Sequence, residues 1–211
     1  MELYGYFRSS AAYRIRAALN YKGLDYAHAP VSLIRNEHKS ADYLAKNPQG
    51  LVPYLTDGDI SMGQSLAMLE YLEETYPKRP LLPKDAAGRV RVRQISGIIA
   101  CDIHPLDNLR VLTYITDELG VSEDQKAAWY HHWILEGFKA VEVILKDGKS
   151  GEYCHGDIVS FADLCLVPQV YNARRFNCPL DDFPNILRIS GHCNKMDSFI
   201  QAMPENQGDA T

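Results

Sequence analysis

Two short stretches of this chain carry residues whose types and spacing suit the capture of a small peptide. In Asn47-Pro48-Gln49-Gly50-Leu51-Val52-Pro53-Tyr54-Leu55, Pro53 stands at the start of an apolar run that reads as a strand. There its missing N–H costs no ladder bond, and an X-Pro bond can be held cis. That geometry turns the N–H and C=O of Val52 outward, able to pair with an extended ligand as if it were an added strand. After a turn comes Gly63-Gln64-Ser65-Leu66-Ala67-Met68-Leu69, in which Ser65, preceded by Gln64, opens an amphipathic helix. A helix start with free N–H groups is a ready site for a carboxylate. Each device alone is most often an entry turn or a cap; their order and spacing give them weight together.

The elements that must position these residues follow from periodicity and turn residues. Leu3 to Phe7 reads as a strand, Ala11 to Asn20 as a helix stopped by Gly23, and Tyr26 to Val31 as a second strand, a β-α-β unit within about thirty residues. A looser segment with His38 and Tyr43-Leu44 leads to a strand at Tyr54-Leu55, a turn at Asp57-Gly58-Asp59, a short strand at Ile60-Ser61-Met62 and the helix from Ser65 to about Tyr76. Pro77, Pro80 and Pro83 mark a linker, so a first domain is expected over 1–80 and a second, all-helical one over 88–211.

In that second domain Arg89 to about Leu119 reads as one long helix, with Ile95, Ile98, Ile99, Ile103 and Leu106 in a stripe and a bend at Pro105. Ser122 or Glu123 to Leu145 reads as another, with Trp129, Trp133 and Phe138 as its heavy core residues. Ser160-Phe161-Ala162-Asp163 opens a third as a capping box, and pieces around Ile186-Leu187 and Phe199-Ile200 complete the set. The tail from about Pro204 shows nothing to pack, and the Arg89, Arg91, Arg93 run reads as solvated charge or ion pairs at a subunit contact.

Composition narrows the function classes. The 211 residues carry a formal charge of −5, with no basic footprint for nucleic acid or an anionic membrane. Five cysteines without a C-x-x-C pair suggest reduced, mostly buried thiols rather than a disulfide framework or a zinc site, and no metal is expected. No charged leader precedes the first strand and no apolar run approaches membrane-spanning length, so a cytoplasmic protein is expected.

These stretches belong to a wider pattern: Tyr6-Phe7-Arg8-Ser9-Ser10-Ala11, Asn47-Pro48, Val52-Pro53, Gln64-Ser65, Ile103-His104-Pro105-Leu106, the helix through Ala162-Asp163-Leu164-Cys165-Leu166-Val167-Pro168-Gln169-Val170, and Arg174-Arg175-Phe176. Over nearly its whole length the chain resembles the zeta-class glutathione transferases. The resemblance implies an α/β thioredoxin-like N-terminal domain, an all-α C-terminal domain, glutathione as a coenzyme that is not consumed, and a homodimer. It implies cis-trans isomerisation of a maleyl keto acid, maleylacetoacetate to fumarylacetoacetate in tyrosine and phenylalanine breakdown.

Carried over by position, Ser9 donates to the glutathione sulfur, with Ser10 and the following helix start supplying further donors. Val52 and Pro53 receive the cysteinyl backbone, Gln64 and Ser65 the γ-glutamyl group, and His38 the glycyl end. His104 and Asn108, one helical turn apart on one face, line the cleft, with Arg110 as a nearby cation. Arg8 and Arg175 hold the substrate carboxylates, for which a guanidinium fork is suited. Ala11 stands where the class signature has Cys, which puts thiol-exchange activity in question but not isomerisation. Maleylpyruvate isomerisation, general conjugation or α-halo acid dehalogenation, and glutathione binding without turnover stay open as alternatives.

Overall fold

Four short strands form the sheet. In the computed structural model, which describes residues 1–210, β1 (Glu2–Gly5), β2 (Ala27–Pro30), β3 (Tyr54–Asp57) and β4 (Ile60–Met62) lie in the order β2-β1-β3-β4. Helix α1 (Ser10–Lys22) makes the crossover that a parallel β1–β2 pair requires, whereas β1–β3 and β3–β4 are antiparallel. Leu3 sits opposite His28 on one side and Leu55 on the other, and both leucines are fully buried. Helices α2 (Ala41–Lys46) and α3 (Ser65–Thr75) complete the expected thioredoxin-like half.

Helix α1 is buried without interruption from Ser10 to Leu19. Its end is set by Gly23, whose φ of +70° suits a left-handed turn in which the Gly23 and Leu24 N–H groups donate to the carbonyls of Asn20 and Leu19. The buried Lys22 donates to Glu73 Oε2 at 3.2 Å and to the carbonyls of Tyr76 and Arg79, tying the end of α1 to the end of α3.

The chain divides into two compact units, Met1–Pro80 joined by the chain from Asn194 onward, and Leu81–Cys193. The expected division at 1–80 and 88–211 therefore needs correction at its far end. Helix α9 (Asp197–Ile200) and the tail belong with the first unit, and the tail is not unpacked. The cause is a set of long-range bonds to α1 and to Phe7 before it. The fully buried Arg16 donates through Nε and Nη2 to the Ala202 carbonyl at 3.0 and 2.9 Å, and through Nη2 to the Phe7 carbonyl at 2.9 Å. Asn20 Nδ2 donates to the Ser198 carbonyl at 3.1 Å, and the Phe7 N–H donates to Asp209 Oδ2 at 3.1 Å. Burial lowers the Arg16 pKa to about 10, which leaves it charged at neutral pH.

In the helical unit, the expected single bent helix from Arg89 to Leu119 is broken. Helix α4 (Ala86–Gly97) widens into π turns over Ile98–Ile103, and a non-helical turn follows before α5 (Leu109–Asp117). Pro105 has no N–H to continue the ladder, and Asn108 restarts it: its backbone is extended and its Oδ1 accepts the Arg110 N–H at 3.1 Å. Ile95, Ile99 and Ile103 are buried as expected, while Trp129 and Trp133 are only half-buried and Phe138 is the fully buried aromatic of α6 (Glu123–Leu145). Helices α7 (Phe161–Arg175) and α8 (Pro184–Cys193) follow. Asp163 reaches back as expected, accepting the Ser160 N–H and hydroxyl at 2.8 Å, and also takes the Cys154 N–H at 2.8 Å.

Arg91 departs from the reading as solvated or intersubunit charge. It is buried, and its guanidinium grips Asp147 through Nε at 2.8 Å and Nη2 at 2.9 Å. It also donates to the Ile144 and Cys154 carbonyls and to Ser150 Oγ. None of the five cysteines forms a disulfide, and four of them are buried. Among the described residues no helix is long and apolar enough to cross a membrane.

Candidate functional site

The first unit carries most of the expected site residues, and two sets of unsatisfied backbone groups with them. The Val52–Pro53 bond is cis, and neither the N–H nor the C=O of Val52 has a hydrogen-bond partner among the described residues. The loop before it is held firmly. Asn47 Nδ2 and the Tyr43 hydroxyl both donate to the Leu51 carbonyl at 2.7 Å, and Asn47 Oδ1 accepts the Gln49 N–H. Gly50, at φ +61°, is needed where the chain passes His38: a Cβ there would lie 3.2 Å from the His38 carbonyl. The half-buried His38 has an unpartnered Nδ1, and burial pushes its pKa below the usual histidine range, which keeps the ring neutral at pH 7.

The second set is the start of α3. Gln64 holds a φ of +65°, and its side chain donates to Gln49 Oε1 at 2.7 Å rather than capping the helix. The Met68 N–H bonds to the Gln64 carbonyl, whereas the N–H groups of Ser65, Leu66 and Ala67 have no acceptor among the described residues. Behind them the buried Arg14 donates through Nη1 to Ser65 Oγ at 2.5 Å. Sequence reasoning missed Arg14, Asn47 and Tyr43 as site residues. The available signal for Arg14 was that it and Arg16 are charges inside the otherwise apolar run from Ala11 to Ala18.

Ser9 is the N-cap of α1: its Oγ accepts the Ala12 N–H at 3.2 Å. A hydroxyl that accepts still has its own proton to give, and the Ser9 O–H has no acceptor among the described residues. Ser10 is buried at the first position of α1, with Ala11 beside it. Arg8 lies on the aromatic rings that precede it, its guanidinium carbon 4.8 Å from the Phe7 ring centre, with Nη2 donating to the Tyr6 hydroxyl at 3.1 Å and Nε buried without a partner.

The remaining expected residues lie in the helical unit. His104 and Asn108 do not share a helix face, because the turn through Pro105 separates the π turns from α5 and Asn108 serves as the cap of that helix. Arg110 is exposed in the first turn of α5. Arg175, the last residue of α7, is exposed with its guanidinium carbon 4.6 Å from the Phe176 ring centre.

Asp107, which sequence reasoning passed over, is 8 % exposed with neither carboxylate oxygen hydrogen-bonded among the described residues. Burial pushes its pKa up to about 8. The folded state therefore holds a proton that the unfolded chain releases near pH 4, so this group's contribution to stability falls as pH rises from about 4 through 8. Between pH 6 and pH 8 the loss is about 2 kcal/mol, two pH units at about 1.4 kcal/mol each less the partial ionisation at the upper end. Asp107→Asn should remove that slope, so the variant gains on the parent as pH rises. Unfolding midpoints of the two proteins that stay parallel from pH 6 to pH 8 would contradict the assignment.

Comparison with known proteins places the chain in a family. Residues 3–80 match the glutathione S-transferase N-terminal domain family. A protein of Vibrio cholerae named as a probable maleylacetoacetate isomerase is 48 % identical over 210 residues, 99 % of this chain and 97 % of that protein. A holo maleyl pyruvate isomerase structure, described as a bacterial glutathione S-transferase of the zeta class, superposes with a TM-score of 0.98 at 44 % identity, covering 100 % of both chains. The maleylacetoacetate isomerase of Methylobacterium extorquens AM1, solved with bound malonate and glutathione, gives a TM-score of 0.97 at 38 % identity, again over 100 % of both. With the sheet order, the cis proline and motifs along the whole length in agreement, this chain belongs to the zeta-class glutathione S-transferases.

Proposed function

We propose that the protein is a glutathione-dependent cis-trans isomerase that converts maleylacetoacetate to fumarylacetoacetate. The observation that carries this reading is the pairing, in one unit, of a free Val52 backbone with an uncapped α3 start. An extended peptide with a carboxylate at one end satisfies both. When bound, glutathione supplies the sulfur whose reversible addition to the maleyl double bond permits rotation about it.

The chain's own groups hold and tune that sulfur. Val52 pairs with the cysteinyl backbone beside Pro53, Gln64 and Ser65 take the γ-glutamyl end, and His38 takes the glycyl end as a neutral hydrogen-bonding ring. Ser9 donates its free O–H to the sulfur, and Ser10 with the start of α1 adds a positive dipole end. Arg8, already desolvated at Nε, takes a substrate carboxylate. Arg175 keeps the same role from the resemblance, supported by its exposure, with His104, Asn108 and Arg110 as further candidates in the helical unit. The reading extends to a cytoplasmic homodimer acting in tyrosine and phenylalanine breakdown, supported by the class to which the chain belongs.

A second reading, maleylpyruvate isomerisation, is favoured by the exposed Arg110 cation at the start of α5 and by the close superposition on the maleyl pyruvate isomerase. Turnover of both maleyl acids by the purified protein, with and without added glutathione, separates the two. Equal rates without glutathione, or no turnover of either acid, would sink the proposal.

A further inference from the structure

Arg14 is a charge with no evident reason to be where it is. It lies in the middle of α1 at 2 % exposure, a guanidinium cannot shed its proton, and Nη1 to Ser65 Oγ is its one hydrogen bond among the described residues. Its Nε is buried with no partner, and no carboxylate of the described residues lies within ion-pair distance. Burying a cation without a counter-charge is costly, and the usual remedy is an anion. The group it touches stands at the first position of the eleven-residue helix α3, beside the unpaired N–H groups of Ser65, Leu66 and Ala67. A buried cation and an uncapped helix start thus face the same point, one from behind the Ser65 hydroxyl and one from around it.

We infer that Arg14 is a positioning residue for the γ-glutamyl α-carboxylate, acting through Ser65. This rests on the reading of the first unit as a glutathione site and adds a residue to it. The hydroxyl oxygen accepts from Arg14, so its single proton is left to donate outward to the carboxylate, and the guanidinium charge polarises that O–H. The carboxylate in turn supplies the negative charge that α1 lacks. A ligand without that carboxylate leaves Arg14 uncompensated, so Arg14 makes the site selective for a free α-carboxylate rather than for peptides in general.

The test is calorimetric binding of two ligands, glutathione and 4-aminobutanoyl-cysteinyl-glycine, which lacks only the α-carboxylate. The parent protein should prefer glutathione by about tenfold to a hundredfold, the range for a hydrogen-bonded charged group. Arg14→Met should bring that preference to within about threefold. Arg14→Lys keeps the charge without the fork and should retain an intermediate preference. If Arg14→Met does not fold, Arg14→Lys measured in the Ser65→Ala background decides. There the lysine substitution should have no further effect on the ratio, because its route through the hydroxyl is gone.

A folded Arg14→Met protein with the parental ratio, or an Arg14→Lys effect that is unchanged without the Ser65 hydroxyl, overturns the inference while leaving glutathione binding intact. Equal binding of the two ligands by the parent also overturns it, since the carboxylate would then not sit at α3. No binding of glutathione by the parent overturns instead the reading on which the inference rests.

Discussion

Ser9→Ala should lower kcat/KM for the maleyl substrate by roughly tenfold to a hundredfold. The estimate is the loss of one hydrogen bond to an ionised group, about 1.5–3 kcal/mol, at about 1.4 kcal/mol per decade. Most of it should fall on departure of the sulfur rather than on its attack. Lowering a thiol pKa from about 8.5 to about 6.5 raises the thiolate fraction at neutral pH roughly 25-fold, yet a Brønsted slope of about 0.45 returns roughly 8-fold in nucleophilicity. The net gain in attack is only about threefold, whereas the same stabilisation assists the leaving group directly. Because Ser9 also caps α1, the alanine variant should lose about 1 kcal/mol of stability as well. Ser9→Thr separates the two, since it keeps both cap and donor and should recover most of the rate. Steady-state kinetics with near-parental turnover in Ser9→Ala would remove the serine from the mechanism.

Arg91→Met should destabilise the helical unit by about 3–5 kcal/mol, the range for breaking a buried ion pair from one side. The methionine fills part of the volume but takes one donor from each of the Ile144 and Cys154 carbonyls, which keep the Asp147 N–H and the Ser150 hydroxyl respectively, and leaves Asp147 without the Arg91 charge. The hydrogen bond from Arg91 holds the Asp147 carboxyl below its usual range, so this pair stabilises above about pH 4 and fades as pH falls through the folded value. Arg91→Lys should regain only a fraction, because an ammonium cannot span the carboxylate and the carbonyls together. Denaturant unfolding monitored by the half-buried Trp129 and Trp133 reports on this unit. A change under about 1 kcal/mol would show that the guanidinium is not what joins these segments.

The parts of this molecule that were legible in the sequence are those governed by neighbours along the chain. Pro53 before a strand, Gln64-Ser65 before a helix, Gly23 after one and the Ser160–Asp163 box are local rules of backbone chemistry, and each appears where expected. The failures are non-local. Nothing near Pro204 signals that Arg16, 186 residues before Ala202, supplies that segment's anchor. Apolar periodicity continues through Pro105, so the stripe alone cannot distinguish a bend from a break; the difference was made by Asn108 as a cap. Arg14 and Arg91 were hidden for a shared reason. A charge looks solvated in a sequence unless its partners are visible, and their partners are carbonyls, hydroxyls and carboxylates contributed from far along the chain.

That the first unit is completed by the end of the chain has a consequence for synthesis on the ribosome. Once Pro80 has emerged, all four strands are available, but the carbonyl of Ala202 that takes the Arg16 guanidinium is 122 residues away (202 − 80). At about 5–20 residues per second that is a wait of roughly 6–24 seconds, during which the Arg16 guanidinium has only the Phe7 carbonyl to donate to and the flank of α1 that α9 will cover stays wet. Nascent chains stalled before Ala202 should therefore be cut by protease within residues 1–80, and those stalled past the last residue, on a linker long enough to clear the exit tunnel, should not.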